Sequence, residues 1–151
     1  MHEESIRMKP IFRNILAVTA GLVAGSMING GILSLGNQLI LPPEGTNVND
    51  IESLKTAMHS FEPKHFIPPF FAHAIGTLTG AFVAAWISAN NQLRHALIIG
   101  MVFLFGGVYM VSLLPSPIWF TALDLIVAYI PMAYLAYKLF GIIQNNLKIN
   151  K

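Results

Sequence analysis

The chain has 151 residues, 54% of them apolar and only 11% charged, against roughly 25% charged in an average soluble domain. With a mean hydropathy of +0.61, it has too few charges to cover a water-soluble domain, and disorder is excluded because it needs low hydrophobicity and high charge. The net charge of +2 is carried by basic residues scattered beside apolar runs, which points to membrane topology signals and away from nucleic acid. The absence of cysteine excludes disulfides, thiol catalysis and cysteine-held metal or iron–sulfur centres.

Four apolar stretches are long enough to cross a bilayer, which takes about 20 helical residues. They cover about residues 15–37, 66–88, 95–114 and 118–140. Backbone polar groups find partners in lipid only within a helix or a closed barrel. Runs such as Ala96-Leu97-Ile98-Ile99 lack the two-residue alternation of a barrel strand, so helices are expected. The first stretch follows Arg7, Lys9 and Arg13 like a signal peptide, with small residues at Ala24 and Ser26. Its apolar run continues past that point, which predicts an uncleaved helix.

The first stretch carries Gly21 and Gly25 four residues apart, and the second carries Gly76 and Gly80. Such small faces let helix backbones approach closely where lipid supplies little hydrophobic drive, so these four glycines are expected in helix–helix contacts.

Residues 42–65 form the one sizeable polar connection. It opens on the turn residues Pro42-Pro43-Glu44-Gly45. Asn49 and Glu52 have the spacing of a capping box, and Ile51, Leu54, Met58 and Phe61 recur at helical spacing. A short amphipathic helix over about residues 50–61 is predicted, ended by Pro63. His59, Glu62 and His65 lie close together here, but their spacing matches no metal-binding pattern, and a solvated loop without metal is expected. His95, beside Arg94, is expected at the membrane boundary.

The other connections are short: Ala89-Asn90-Asn91-Gln92 and Pro115-Ser116-Pro117. Short connections make successive helices antiparallel neighbours. The expected fold is therefore a single all-α integral membrane domain, a four-helix antiparallel bundle with one amphipathic helix in the outside loop. So thin a bundle leaves room to pack against a second copy or other membrane subunits.

Polar residues within the spans are where chemistry is expected. An acid in a membrane span is costly and marks a functional candidate. At 1.5 Å per residue, Asp124 lies about 9 Å from the outer end of its span, His73 about 10 Å, Tyr109 about 8 Å and Asn29 about 10 Å. Each span thus contributes one hydrogen-bonding side chain at a similar outer level. Depth alone does not say whether they face each other. They serve either as glue between helices or as a small polar site in which Asp124 and His73 hold a proton; His73 is the expected partner of Asp124.

No nucleophile motif or phosphate loop accompanies these residues, and no cofactor is expected. The leading functional expectation is a non-enzymatic structural or accessory subunit of a membrane complex. The alternatives are a small proton-coupled transporter or channel, and a membrane enzyme acting on a lipid or quinone.

Orientation follows from lysine and arginine. Arg7, Lys9, Arg13, Arg94, Lys138, Lys148 and Lys151 fall on one side, and only Lys55 and Lys64 on the other. The positive-inside rule then puts both termini in the cytoplasm, with the bacterial inner membrane as the expected location. Reporter fusions at Met1 and Lys151 should read cytoplasmic and an insertion near Asn47 external; a cytoplasmic signal at Asn47 would overturn this topology.

Overall fold

A computed structural model of the chain describes residues 9–149, except the side chain of Lys148. Arg7 and Lys151, which enter the charge count above, lie outside the described residues. Helices dominate, and no strand occurs among the described residues. They are α1 (Pro10–Leu39), α2 (Ile51–Ala57), α3 (Ile67–Ile87), α4 (Gln92–Leu113), α5 (Ile118–Val127) and α6 (Ile130–Ile149), with 3₁₀ turns at Met58–Ser60 and Pro63–Phe66. Four helical stretches are long and apolar enough to cross a membrane: Pro10–Leu39, Pro63–Ile87, Gln92–Leu113 and Ile118–Leu147.

Prolines set several boundaries. Pro10 opens α1, and Pro68 and Pro69 fall in the first turn of α3, where a missing N–H costs nothing. Asn91, at φ 50°, turns the chain into α4 in a left-handed conformation that asparagine tolerates. Gly45, at φ 81°, supplies the positive angle of a tight turn that the Thr46 N–H closes onto the Pro43 carbonyl at 3.1 Å.

The fourth span is interrupted, contrary to the continuous helix expected from its apolar run. α5 ends at Val127, and the chain turns at Ala128 and Tyr129 before α6 begins. Pro131 is the cause. Inside an unbroken helix its ring would meet the Val127 carbonyl and its missing N–H would leave that carbonyl unpaired.

The polar connection also departs from expectation. Its helix stops at Ala57 and tightens into a 3₁₀ turn. Asp50 caps it, accepting the Ser53 N–H at 3.0 Å, so the Asn49–Glu52 capping box does not form. Asn49 is instead held by its own N–H donating to the Asn47 side chain. Of the apolar positions, Leu54, Met58 and Phe61 turn towards the protein and Ile51 stays exposed.

α3 is the central helix, packed against α1, α4 and α6. Its buried residues are almost all small: Ala72, Ala74, Gly76, Gly80, Ala81 and Ala84 among them. Ala81, Ala84 and Ala85 cluster with Ala96 and Ile99 of α4 and Ala133, Ala136 and Phe140 of α6, and Ala74 clusters with Ala128 and Tyr129. His95, in the first turn of α4, is buried against the neighbouring helices; its ring nitrogen Nδ1 lies 3.1 Å from the Asn91 carbonyl one turn back.

The closest contact is between α1 and α3. A β-carbon on Gly21 would sit 2.6 Å from the Gly80 carbonyl oxygen, and one on Gly80 2.6 Å from that of Gly21. One on Gly76 would lie 2.9 Å from the Gly25 carbonyl oxygen. These partners are backbone atoms, which cannot swing aside. At one end of this seam Asn14 donates to the Asn90 side chain and accepts the Ala89 N–H, both at 2.9 Å. Towards the other end Gly36 meets Pro68.

Gly80→Leu should therefore cost about 1–3 kcal/mol or more in overpacking. Gly141→Ala, where an added β-carbon meets nothing, should leave stability unchanged or raise it slightly. Thermal unfolding of the two variants in detergent distinguishes them; a wild-type transition for Gly80→Leu would show that the seam yields without cost.

Candidate functional site

His73 sits near the start of α3, Asp124 in α5, and Tyr129 in the break before α6. Their side chains meet. His73 Nδ1 is 2.9 Å from Asp124 Oδ1 and 3.0 Å from Oδ2. The Tyr129 hydroxyl donates to Asp124 Oδ2 at 2.9 Å and lies 3.0 Å from His73 Nδ1. Asp124 is buried, with 3% of its side chain exposed, whereas 22% of the His73 side chain is open.

The protons can be assigned from this geometry. Both carboxylate oxygens of Asp124 lie within reach of the one ring nitrogen, the arrangement of a single N–H shared by two acceptors, so the proton between them is assigned to Nδ1. The Nδ1–H is shared between the carboxylate and the Tyr129 oxygen, and the Tyr129 O–H donates to Asp124. No hydrogen bond from the described residues reaches His73 Nε2. The carboxylate thus fixes the ring orientation and tautomer and leaves Nε2 with a lone pair, an arrangement suited to accepting a hydrogen bond or a proton.

Of the residues expected from depth, the structure brings together His73 and Asp124 but not the other two. Tyr109 is 64% exposed on the outside of α4. Asn29 lies against Gly76 beside the α1–α3 seam and makes no hydrogen bond with the triad. Tyr129 takes the place given to Tyr109. On an unbroken helix, Asp124 and Tyr129, five residues apart, would point about 140° from each other. The turn at Ala128 and Tyr129 brings the phenol round, and Pro131 was the signal for it. Gly107 of α4 makes the room: a β-carbon there would collide with the Tyr129 hydroxyl.

Above the triad lies a cavity of about 650 Å³. His73 and Asp124 line its deep end, and the C-terminal part of α1, the connection 42–66 and the end of α4 close round it. Its walls are mostly apolar, with Leu33, Leu54, Met58, Phe66 and Phe120 among them, and Ser34, Asn37 and His65 add polar groups. Phe66 is fixed by Phe120 at a ring distance of 4.7 Å and by Trp119 at 5.6 Å.

The histidines of the connection are engaged locally. His59 Nδ1 lies 2.7 Å from the Thr56 carbonyl. Glu62 and His65 form a reciprocal cap on the 3₁₀ turn at Pro63–Phe66, and a hydrogen bond and ion pair with Lys64 hold the exposed Glu62 carboxyl below its usual range. No metal-holding group of His, Asp and Glu occurs among the described residues.

No family model matches the chain, and neither a curated protein nor a solved structure matches it. The functional argument accordingly rests on the triad and its cavity.

Asp124→Asn should keep most of the stability, because an amide still accepts from Tyr129. Asp124→Leu strands the Tyr129 hydroxyl and the His73 Nδ1–H and should cost about 1–3 kcal/mol. Denaturant unfolding in detergent micelles measures both. Equal stability of the leucine variant would mean that the triad contributes nothing to the fold.

Proposed function

We propose that the protein is a multi-pass membrane protein that binds a small, largely apolar molecule in the cavity at its loop end, with His73 holding the molecule's polar group. The cavity over His73 is the observation that carries this reading. A triad acting only as interhelical glue has no need of an open space beside an unpartnered ring nitrogen. The deep acid–base pair, the apolar walls and the few polar groups together fit a ligand site.

The membrane setting is supported by the four apolar helical stretches and by what they display. Met27, Phe105 and Ile126 are each more than 60% exposed, a surface suited to lipid. Arg13, Arg94 and Lys138 lie towards the end opposite the connection 42–66, so the positive-inside rule directs the cavity to the outside.

Binding is favoured over conduction. Every residue lining the cavity comes from the connection or from the loop-end portions of the helices, so the pocket ends at the triad. A molecule can enter, be held and exchange a proton with His73. As an accessory subunit or as an enzyme on an apolar substrate, the protein would use the same pocket.

Gly30 offers a direct test. It lines the cavity, and a β-carbon there meets nothing within 4 Å, so tryptophan at this position can fill the space without disturbing the seam. Mass spectrometry of protein purified in native lipid should find a small apolar molecule enriched with the wild type and reduced at least about tenfold, or roughly 1.4 kcal/mol, in Gly30→Trp. The same complement of small molecules in both preparations would count against a ligand pocket.

A further inference from the structure

The cavity holds a second histidine whose tautomer is fixed in the opposite sense. His65 Nδ1 lies 2.8 Å from the Glu62 backbone nitrogen. A backbone N–H can only donate, so Nδ1 of His65 accepts and the ring proton sits on Nε2. His73 presents the reverse: its Nδ1–H is held by Asp124, and its Nε2 carries the lone pair. Both rings line the same cavity, His65 at the level of the connection and His73 at depth. Eight residues separate them in sequence, about 12 Å along the helix axis.

We infer that the pocket selects a neutral amphiphile bearing a hydrogen-bond donor at its buried end and an acceptor at its loop end. The deep donor, a hydroxyl, meets the His73 Nε2 lone pair. The outer acceptor, a carbonyl or ether oxygen at the other end of the molecule, meets the His65 Nε2–H. Neutrality follows from the lining. Among the described residues that line the pocket, Asp124 is the one charged side chain, and the carboxylate is already occupied by His73 and Tyr129. An anion would find no cation to pair with, and a cation would compete with both of those bonds.

The polarity is built into backbone and packing. The Glu62 N–H is fixed by the 3₁₀ turn that Pro63 opens, and the Asp124 carboxylate by burial and Tyr129. His73 cannot exchange its roles without leaving the buried Asp124 carboxylate short of a donor, and His65 cannot without losing its bond to the Glu62 N–H; unpaired polar groups are how such sites discriminate between ligands of equal apolar size. This inference rests on the ligand-pocket reading and adds the direction in which the ligand lies.

The test uses the full chain in lipid nanodiscs. Histidine-ring nitrogen NMR reads the tautomers directly, and the expected result is a proton on Nδ1 of His73 and on Nε2 of His65. The same tautomer at both positions overturns the inference. The probe is methyl ω-hydroxydecanoate, which carries a hydroxyl at one end and an ester carbonyl at the other. Its controls are methyl ω-methoxydecanoate, without the donor, and decanol, without the carbonyl. Titrations followed on the two rings should show half-saturation by the hydroxy ester at about tenfold lower concentration than by either control. Equal half-saturation by all three overturns the polarity and leaves the pocket standing. If no probe shifts either ring and Gly30→Trp retains the wild-type complement of bound molecules, the pocket and the inference both fall.

Discussion

The rest of the molecule depends on two helices touching backbone to backbone. Gly21 and Gly25 of α1 face Gly76 and Gly80 of α3 so closely that a single methyl group would overlap a carbonyl oxygen. In an apolar surrounding the hydrophobic effect does not hold helices together, and close packing has to. The seam fixes where α3 stands, and α3 carries His73. It also fixes where α1 does not stand. Beyond Asn29, which rests on Gly76, the contact opens: a β-carbon on Gly30 would meet nothing, yet Gly36 rests on Pro68. The cavity occupies the space between these points, roofed by the connection 42–66. A tight contact at one level and a gap at the next are products of the same glycine pattern.

The other half of the site depends on a break. Pro131 cannot continue the fourth apolar stretch through Val127, so the chain turns at Ala128 and Tyr129. That turn places the phenol beside the carboxylate five residues earlier, and Gly107 leaves the space it fills. Burying a carboxylate among apolar helices is expensive unless its lone pairs are used. Asp124 uses them on His73 and Tyr129, with donors drawn from α3 and from its own interrupted stretch.

Much of this was legible in the sequence and some was not. Continuous apolar runs outline the four long helices, because helices that bury little still need every backbone group paired. His73 and Asp124 were reached by comparing depths, which depends only on rise per residue. Depth carries no information on direction round a helix, so Tyr109 and Asn29 were placed at the same level although Tyr109 points outward. Tyr129 was missed for a different reason: counting along an unbroken helix turns it away from Asp124, and only the proline two residues later says otherwise. In the connection, adjacent Asn49 and Asp50 are both good caps. The choice fell to Asp50 because its carboxylate reaches the Ser53 N–H while Asn49 is drawn back to Asn47, a competition that spacing does not reveal.

The triad itself argues for more than adhesion. If the three groups served only to join helices, the most economical arrangement would leave no polar atom over. Asp124 and the Tyr129 hydroxyl are bonded to each other and to His73, and their effect on the third member is to orient it. Holding the Nδ1–H fixes the tautomer and leaves Nε2 as the ring's acceptor. The fold makes no use of that acceptor, since no hydrogen bond from the described residues reaches Nε2. Under the proposed reading it serves a molecule in the 650 Å³ space that His73 lines. The same carboxylate that makes His73 receptive is itself withdrawn, at 3% side-chain exposure, so what enters meets the imidazole first.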